Sequence, residues 1–351
     1  MLHPYAPDID ATSVRHLPKT DLHVHAETHG RFMRVAERRR GLPAYEHRSV
    51  IERHMAETSP GLARLIEVNR LLRLQADTCL GRDCQELSEQ PDYVEACFEG
   101  LMEEEARNGS LLAEIRCGGG WVFFHHFLPC FRSAERRVQG RHPNFCAEPI
   151  IAWGLAEPEV MEKVVRYTCE LAPEGIAGVD LYPEYRRYEY REIDRMAELA
   201  AKAGLGVTCH DGEFDPATLW QALDIPGLAR LGHATQAWRV PGLLEEIARR
   251  GIVVEVSLTS NVVLGAAESY EEHPLRRFMD SGVRVTLCSD DPLTFGTDIG
   301  REYAIASTLG FSEAELRSFA RTGIEASFTS EEHKRALRAG LEGGPAQEAL
   351  S

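Results

Sequence analysis

Lysine is scarce in this chain: Lys19, Lys163, Lys202 and Lys334 are the only four among 351 residues. Positive charge is outweighed overall, with 39 Lys and Arg against 55 Asp and Glu and a net charge of −16. Acidic and basic residues interleave along the chain. This balance argues against nucleic acid and against an anionic membrane, because attraction to a polyanion needs a basic face. It leaves a small neutral substrate open. No apolar run approaches the ~18 residues of a membrane span. The opening MLHPYAPDID has neither the basic nor the apolar region of a secretory signal. The nine cysteines are odd in number and show no CxxC spacing. A reduced, cytoplasmic protein is the simplest reading. Gly118-Gly119-Gly120 is not followed by Lys-Ser/Thr, so it is no phosphate loop.

Apolar residues make up 43% of the sequence, enough for a full core. Eight short apolar segments read as strands: 19–25, 110–117, 148–156, 175–183, 205–212, 229–234, 252–260 and 284–290. Helical patterns lie between most of them, as at 91–108, 158–171, 189–203 and 241–250. Pro91, Pro158 and Pro241 suit the first turn of a helix. Alternating strands and helices with continuous apolar strands predict a parallel sheet covered by helices. Eight such units predict a closed (β/α)8 TIM barrel, α/β in class, with a doubly wound open sheet as the alternative. Extra helices at 61–80 and 91–108 elaborate the connection after the first strand. No linker or repeat divides the chain, so one domain over 1–351 is expected. Only the last stretch, GGPAQEALS, reads as a flexible tail.

The polar residues of these segments gather at one end. His23 and His25 end the first strand, two residues apart and hence on one face. Asp180 stands near the end of the fourth. His210 and Glu213 end the fifth, His233 the sixth, and Asn261 follows the seventh. Asp290 and Asp291 end the eighth. In a barrel those strand ends form the active-site face. One buried histidine is more often a hydrogen-bonded core residue. Four histidines and two aspartates at one pole are hard to explain that way. Three imidazoles and a carboxylate suit Zn²⁺ with water as the remaining ligand, and such a metal lowers the pKa of its water from about 15.7 toward 7. Adjacent strand residues face opposite ways, so Asp290 and Asp291 need different roles. One ligates while the other, set by the turn of the chain, faces substrate.

The motifs LPKTDLHVH, VDLYPE, HDGE, LGHAT, EVSLTSN and SDDPLTFGT, in that order, closely resemble the adenosine deaminase family of the amidohydrolase superfamily, including its adenine deaminases. The resemblance spans roughly residues 15–330. It implies one zinc per chain held by His23, His25, His210 and Asp290. It implies that Glu213 gives a proton to a ring nitrogen, that His233 orients the attacking oxygen and stabilises charge, and that Asp291 helps activate it and binds the ring. The expected reaction is hydrolytic deamination of a 6-aminopurine or a modified adenine nucleoside. Independently, Glu213 lies three residues after His210, and a protonated carboxyl there requires the raised pKa that a water-poor pocket gives.

Two other zinc chemistries fit less well. Cytidine-deaminase-type enzymes pair H-x-E with P-C-x-x-C. His25-Ala26-Glu27 matches the first half, but Pro129-Cys130 runs on as Phe131-Arg132-Ser133. Binuclear amidohydrolases resemble this chain but bridge two metals through a lysine ending the fourth strand, where this chain has Asp180-Leu181-Tyr182-Pro183. A zinc hydrolase of another heterocyclic C–N bond remains a rival, as does a silent binding protein on the same scaffold. Two departures bear on substrate. Pro183 replaces the glycine whose N–H contacts the purine in the family, and it has no N–H to give. Glu27 takes the place of the aspartate that binds the ribose 5′-hydroxyl, as in adenine deaminases. The stretch Trp121–Phe127 stacks on a planar ring or forms the buried side of a covering helix. His125 and His126 lack a partner motif and are read as structural.

Overall fold

The computed structural model describes residues 9–43, 47–80, 90–185 and 187–341. The expected C-terminal tail, 343–351, lies outside the described residues. Eight parallel strands pair in chain order within one sheet. They are β1 (Lys19–His25), β2 (Ser110–Cys117), β3 (Cys146–Trp153), β4 (Gly178–Leu181), β5 (Gly206–Asp211), β6 (Leu228–His233), β7 (Val253–Val256) and β8 (Arg284–Leu287). The ring closes through a parallel bridge between Val24 and Asp290: Asp290 N–H donates to the His23 carbonyl at 2.7 Å, and His25 N–H to the Asp290 carbonyl at 2.9 Å. The expected barrel is therefore observed, and the open sheet is not.

β1 and β2 have their expected bounds. Other strands are shorter or displaced. Residues 258–260, read as the end of a strand, open the helix Leu258–Leu264 instead. A fully buried apolar run does not separate strand from helix by periodicity, and all seven residues of that helix are buried. Pro183 lies past β4, at the start of the single turn Pro183–Tyr185. Pro91 and Pro158 do open helices, Pro91–Arg107 and Pro158–Leu171. Pro241 does not: the next helix starts at Leu243, after Gly242 in the left-handed region at φ 77°.

The barrel interior is charged where most such barrels are aliphatic. Glu114 and Arg116 from β2, Asp180 from β4, Arg230 from β6 and Glu255 from β7 are all fully buried. The guanidinium of Arg116 donates to Asp180 and to Glu255, each at 2.5 Å. That of Arg230 donates to Glu255 at 2.6 Å and to Glu114. Paired this way, buried charge is tolerable; unpaired it is not. Phe328 stoppers the far end of the barrel. A Cβ at Gly206 would stand 2.2 Å from its ring and one at Gly178 2.5 Å, so only glycine fits either place.

The helices after β1 cap the opposite, C-terminal mouth. Ile51, Met55, Leu65, Val68, Leu71 and Leu72 pack on Val263, Leu264 and Phe295 as a separate apolar cluster. Gly61 N–H donates to the Leu264 carbonyl at 2.7 Å, and Arg64 to that of Val263 at 2.9 Å. The elaboration expected from sequence is thus a cover over the strand ends.

Candidate active site

Under that cover lies a cavity of about 210 Å³. His25, Glu27, Tyr182, His210, Glu213, His233, Asp290 and Asp291 line it, with Leu65 from the covering helix. Among the described residues, no lysine or arginine lines it. Nitrogen and oxygen atoms crowd at its base. His23 Nε2 and His25 Nε2 are 3.3 Å apart, and Asp290 Oδ1 lies 3.4 Å from the first and 3.3 Å from the second. Donor atoms of His23, His210, His233 and Asp290 lie within 4.8 Å of one another, as do those of His25, Asp290 and Asp291.

Two of these imidazoles are braced from behind. His23 Nδ1 faces Glu255 Oε2 at 3.2 Å, and His210 Nδ1 faces Asp180 Oδ2 at 3.0 Å. Asp180 accepts from His210 Nδ1, and the Glu255 charge beside His23 Nδ1 favours a proton on that nitrogen; either way the Nε2 lone pair is left toward the cluster, the arrangement a metal-binding histidine needs. Tyr182 stacks on the His210 ring at 4.3 Å. His233 is held differently: its Nδ1 meets the Asn261 side-chain amide at 3.1 Å.

The local backbone delivers the aspartates. Asp290 sits at φ 61° and His233 at φ 66°, both in the left-handed region that non-glycine residues rarely enter. The turn at Asp290 lets both adjacent aspartates line one cavity. Asp21 anchors the preceding residue: it accepts from Ser289 N–H at 3.2 Å and from the Ser289 hydroxyl. Thr28 donates to Asp291.

Electrostatics follow from this crowding. Burial alone would raise the Asp290 carboxyl, but hydrogen bonds from His23 and His25 outweigh it and hold Asp290 well below the usual carboxylate range. Burial, then the Asp290 charge, push Asp291 up to about 6. Burial disfavours charge on His25, yet Asp291 and Asp290 lift it to about 9. Burial lowers His210 to about 4 and His233 well below its ordinary value. Glu213 is pushed far up, first by burial and then by Asp290 and Glu184. Both effects favour its protonated form.

Glu213 is also pinned. Its N–H donates to Glu184 Oε2 at 3.0 Å, its carbonyl accepts from Gln236 at 3.0 Å, and its Oε1 accepts from Asn261 Nδ2 at 3.1 Å. Glu184 also takes the N–H groups of Phe214 and Asp215, so one carboxylate organises the whole turn after β5.

The sequence-derived residues therefore converge, with one exception. Pro183 is buried but is not among the residues that line the cavity. Glu27 does line it, and its Oε1 is gripped by the indole N–H of Trp121 at 2.6 Å and the N–H of Gly118 at 3.0 Å. A Cβ at Gly118 would stand 2.9 Å from that oxygen. Trp121 and Phe127 belong to the core with Phe32 and Phe98. Trp121 and Phe127 are thus core residues, whereas Phe123 is 40% exposed, and none of the three is among the residues that line the cavity. Sequence reasoning missed Arg116, Glu184 and Glu255. Charged residues inside otherwise apolar segments were the available signal.

Comparison with known proteins agrees with this geometry. A model of the adenosine deaminase family matches residues 134–343. An adenine deaminase of Rhizobium leguminosarum bv. trifolii is 39% identical over 186 residues, 52% of this chain and 58% of that protein. The chain thus spans less than two thirds of that relative's length. The barrel is shared with the crystal structure of an adenine deaminase from Arthrobacter aurescens, with a TM-score of 0.74, 21% identity and coverage of 93% and 98%. It is shared also with an amidohydrolase from Burkhoderia ambifaria that carries bound zinc, with a TM-score of 0.77, 20% identity and coverage of 98% and 97%. The matched stretch takes in β4 to β8, and with them His210, Glu213, His233 and the paired aspartates: the chain belongs to the adenosine deaminase family.

Proposed function

We propose that this protein is a zinc-dependent aminohydrolase that deaminates a 6-aminopurine or a modified adenine nucleoside, releasing ammonia. The observation that carries the reading is Glu213: a buried acid, its pKa pushed well up by burial and neighbouring carboxylates, lining the same cavity as a cluster of imidazoles and carboxylates.

The residues fit a divalent ion. His23 and His210 present Nε2 toward Asp290 with carboxylates behind them, and the carboxylates of the cavity hold His25 up to about 9. That is the electrostatics of a place that favours a cation. His23, His25, His210 and Asp290 would hold one zinc ion. Bound there, zinc supplies Lewis-acid activation of a water molecule. The protein's own groups account for the rest. Asp291, raised to about 6, would take a proton from the attacking water and pass it to the amino group, which leaves as ammonia when the C–N bond breaks, while the hydroxyl proton of the adduct returns to Glu213. Glu213 gives its proton to the ring nitrogen beside the carbon under attack. His233 donates to the oxygen that joins that carbon. Leu65 and its neighbours on the covering helix keep bulk water out.

Glu27 supports a substrate with a hydrogen-bond donor away from the reacting amidine. Pro183 has no N–H to offer a ring but stands outside the described lining of the cavity, so Glu27 carries the reading of a substrate other than plain adenosine. Among the described residues seven cysteines are free, in keeping with a reducing cytoplasm. No described helix is long and apolar enough to cross a membrane.

The test is ammonia release by the zinc-loaded protein from adenine, adenosine, N6-substituted adenines and 5′-modified nucleosides. Adenosine is expected to rank below another member of the panel. If adenosine leads near about 10⁷–10⁸ M⁻¹s⁻¹ in kcat/KM, the reading of Glu27 and Pro183 fails. If nothing on the panel releases ammonia, the deaminase reading fails.

A further inference from the structure

Behind the acid and the imidazole stands a hydrogen-bond chain that begins at a backbone amide. Leu275 N–H donates to His273 Nδ1 at 3.1 Å. That nitrogen is therefore the acceptor of the ring. His273 is buried, and burial lowers its pKa to about 3, so the ring is neutral. Its single N–H must be on Nε2, which lies 3.1 Å from Asn261 Oδ1. This bond fixes which way the Asn261 amide points, an orientation that electron counts alone rarely settle. With its oxygen committed to His273, its two N–H bonds go forward, one to Glu213 Oε1 and one to His233 Nδ1, each at 3.1 Å.

Both recipients are constrained by what they accept. An imidazole that accepts at Nδ1 carries its proton on Nε2. Such a nitrogen has no lone pair for a metal, which separates His233 from His23 and His210, whose Nδ1 atoms face carboxylates. A carboxylic acid that accepts at Oε1 carries its proton on Oε2. We infer that Asn261 and His273 are positioning residues: one side-chain amide, oriented by a histidine that is itself oriented by the Leu275 backbone, sets both the tautomer of His233 and the oxygen from which Glu213 gives its proton.

Every member of the chain is fully buried or nearly so: Asn261 is fully buried and His273 is 7% exposed. No solvent competes for these bonds, so their directions propagate. Asn261 sits in the short buried helix after β7, which Glu302 anchors by accepting from the N–H and hydroxyl of Thr259. The histidine ring and the helix thus form a fixed backing for the two groups. The meaning of the inference for turnover rests on the proposed deamination, whereas the tautomers do not.

The experiment reads tautomers directly, by long-range ¹H–¹⁵N correlation of the ¹⁵N-histidine-labelled, zinc-loaded full chain, beside kcat and KM. Wild type is expected to show Nε2–H at both His233 and His273. Asn261→Asp replaces the donor to His233 by an acceptor, and His233 should change to Nδ1–H, with kcat down about 10²–10³-fold. His273→Leu frees the Asn261 amide; His233 should become a mixture of tautomers and kcat should fall about 10-fold with KM within about 3-fold. His273→Gln, which places an N–H where Nε2–H was, should restore a single Nε2–H tautomer and most of kcat. Nδ1–H at His233 in wild type overturns the proposal. So does an unchanged His233 tautomer in both His273→Leu and Asn261→Asp. If no purine is turned over but the tautomers behave as stated, the orienting chain stands and the deaminase reading is what fails.

Discussion

The barrel holds two charged regions a few residues apart along the same strands, and they are built on opposite rules. In the floor, Glu114, Arg116, Asp180, Arg230 and Glu255 are sealed from solvent and every one is ion-paired. In the mouth, Glu27, Glu213, Asp290 and Asp291 share a cavity that, among the described residues, no arginine or lysine lines. The floor sets two guanidinium groups against three carboxylates, so its pairing leaves at most one charge over. The mouth favours uptake of protons or of a cation: burial and neighbouring carboxylates push Glu213 well up, and Asp291 and Asp290 lift His25 to about 9. Charge that is fully paired holds shape; charge left in excess is available for chemistry. The two regions meet at His23 and His210, which reach the floor through Nδ1 and the mouth through Nε2.

Substitutions can pull the two regions apart. The largest effect is expected from Glu213→Gln in the mouth, which removes a proton donor and little else. Turnover should fall about 10²–10⁴-fold, with zinc content and melting temperature near wild type. Ammonia release and thermal melts check both halves, and near wild-type turnover would remove Glu213 from the mechanism.

Arg116→Met in the floor should do the reverse. It leaves Asp180 and Glu255 without their main counter-charge, and loss of one partner from a buried pair costs about 3–5 kcal/mol. Denaturant unfolding measures it. A cost below about 1 kcal/mol would show that the floor tolerates unpaired charge and is no different from the mouth.

Asp180→Asn tests the seam. Zinc affinity should drop about 10–100-fold, because His210 loses the carboxylate that orients its ring. Competition with a chelator of known affinity reads this, and unchanged affinity would mean that His210 is oriented by Tyr182 stacking alone.

The smallest effect is expected from Trp121→Phe. It takes one of two donors from Glu27 and should raise KM about 5-fold, near 1 kcal/mol, with kcat unaffected. A change in kcat without one in KM would move Glu27 from substrate binding to the chemical step.

The mouth was far more legible in the sequence than the floor. Its residues end strands, where a histidine or aspartate interrupts an apolar run and draws notice: His23-Val24-His25, His210, Asp290-Asp291. The floor residues sit inside strands, and Glu114, Arg116, Arg230 and Glu255 have no local partner to mark them. Their partners are on other strands, which only the closed barrel brings together. Strand bounds were read well where polar residues punctuate them, as in β1 and β2. They were read poorly after β7, where Leu258–Leu264 stays apolar through a change from strand to helix. Pro183 drew notice as a departure from a family pattern, yet the cavity is lined by its neighbour Tyr182. Trp121 was legible as an aromatic, but its indole N–H on Glu27 was not, because the two lie 94 positions apart.

The bridge between Val24 and Asp290 would give a metal ion held there a second task, one of timing. The residues that would hold it come from both ends of the chain, His23 and His25 from the first strand and Asp290 from just beyond the last. During synthesis the early ligands emerge long before the final one, so no partial chain offers the complete set. Closing so long a loop is the slow, entropically costly step of such a fold. An ion captured only by the closed ring acts as a clasp on a finished product. Were zinc held there as proposed, its uptake would mark the last stage of folding.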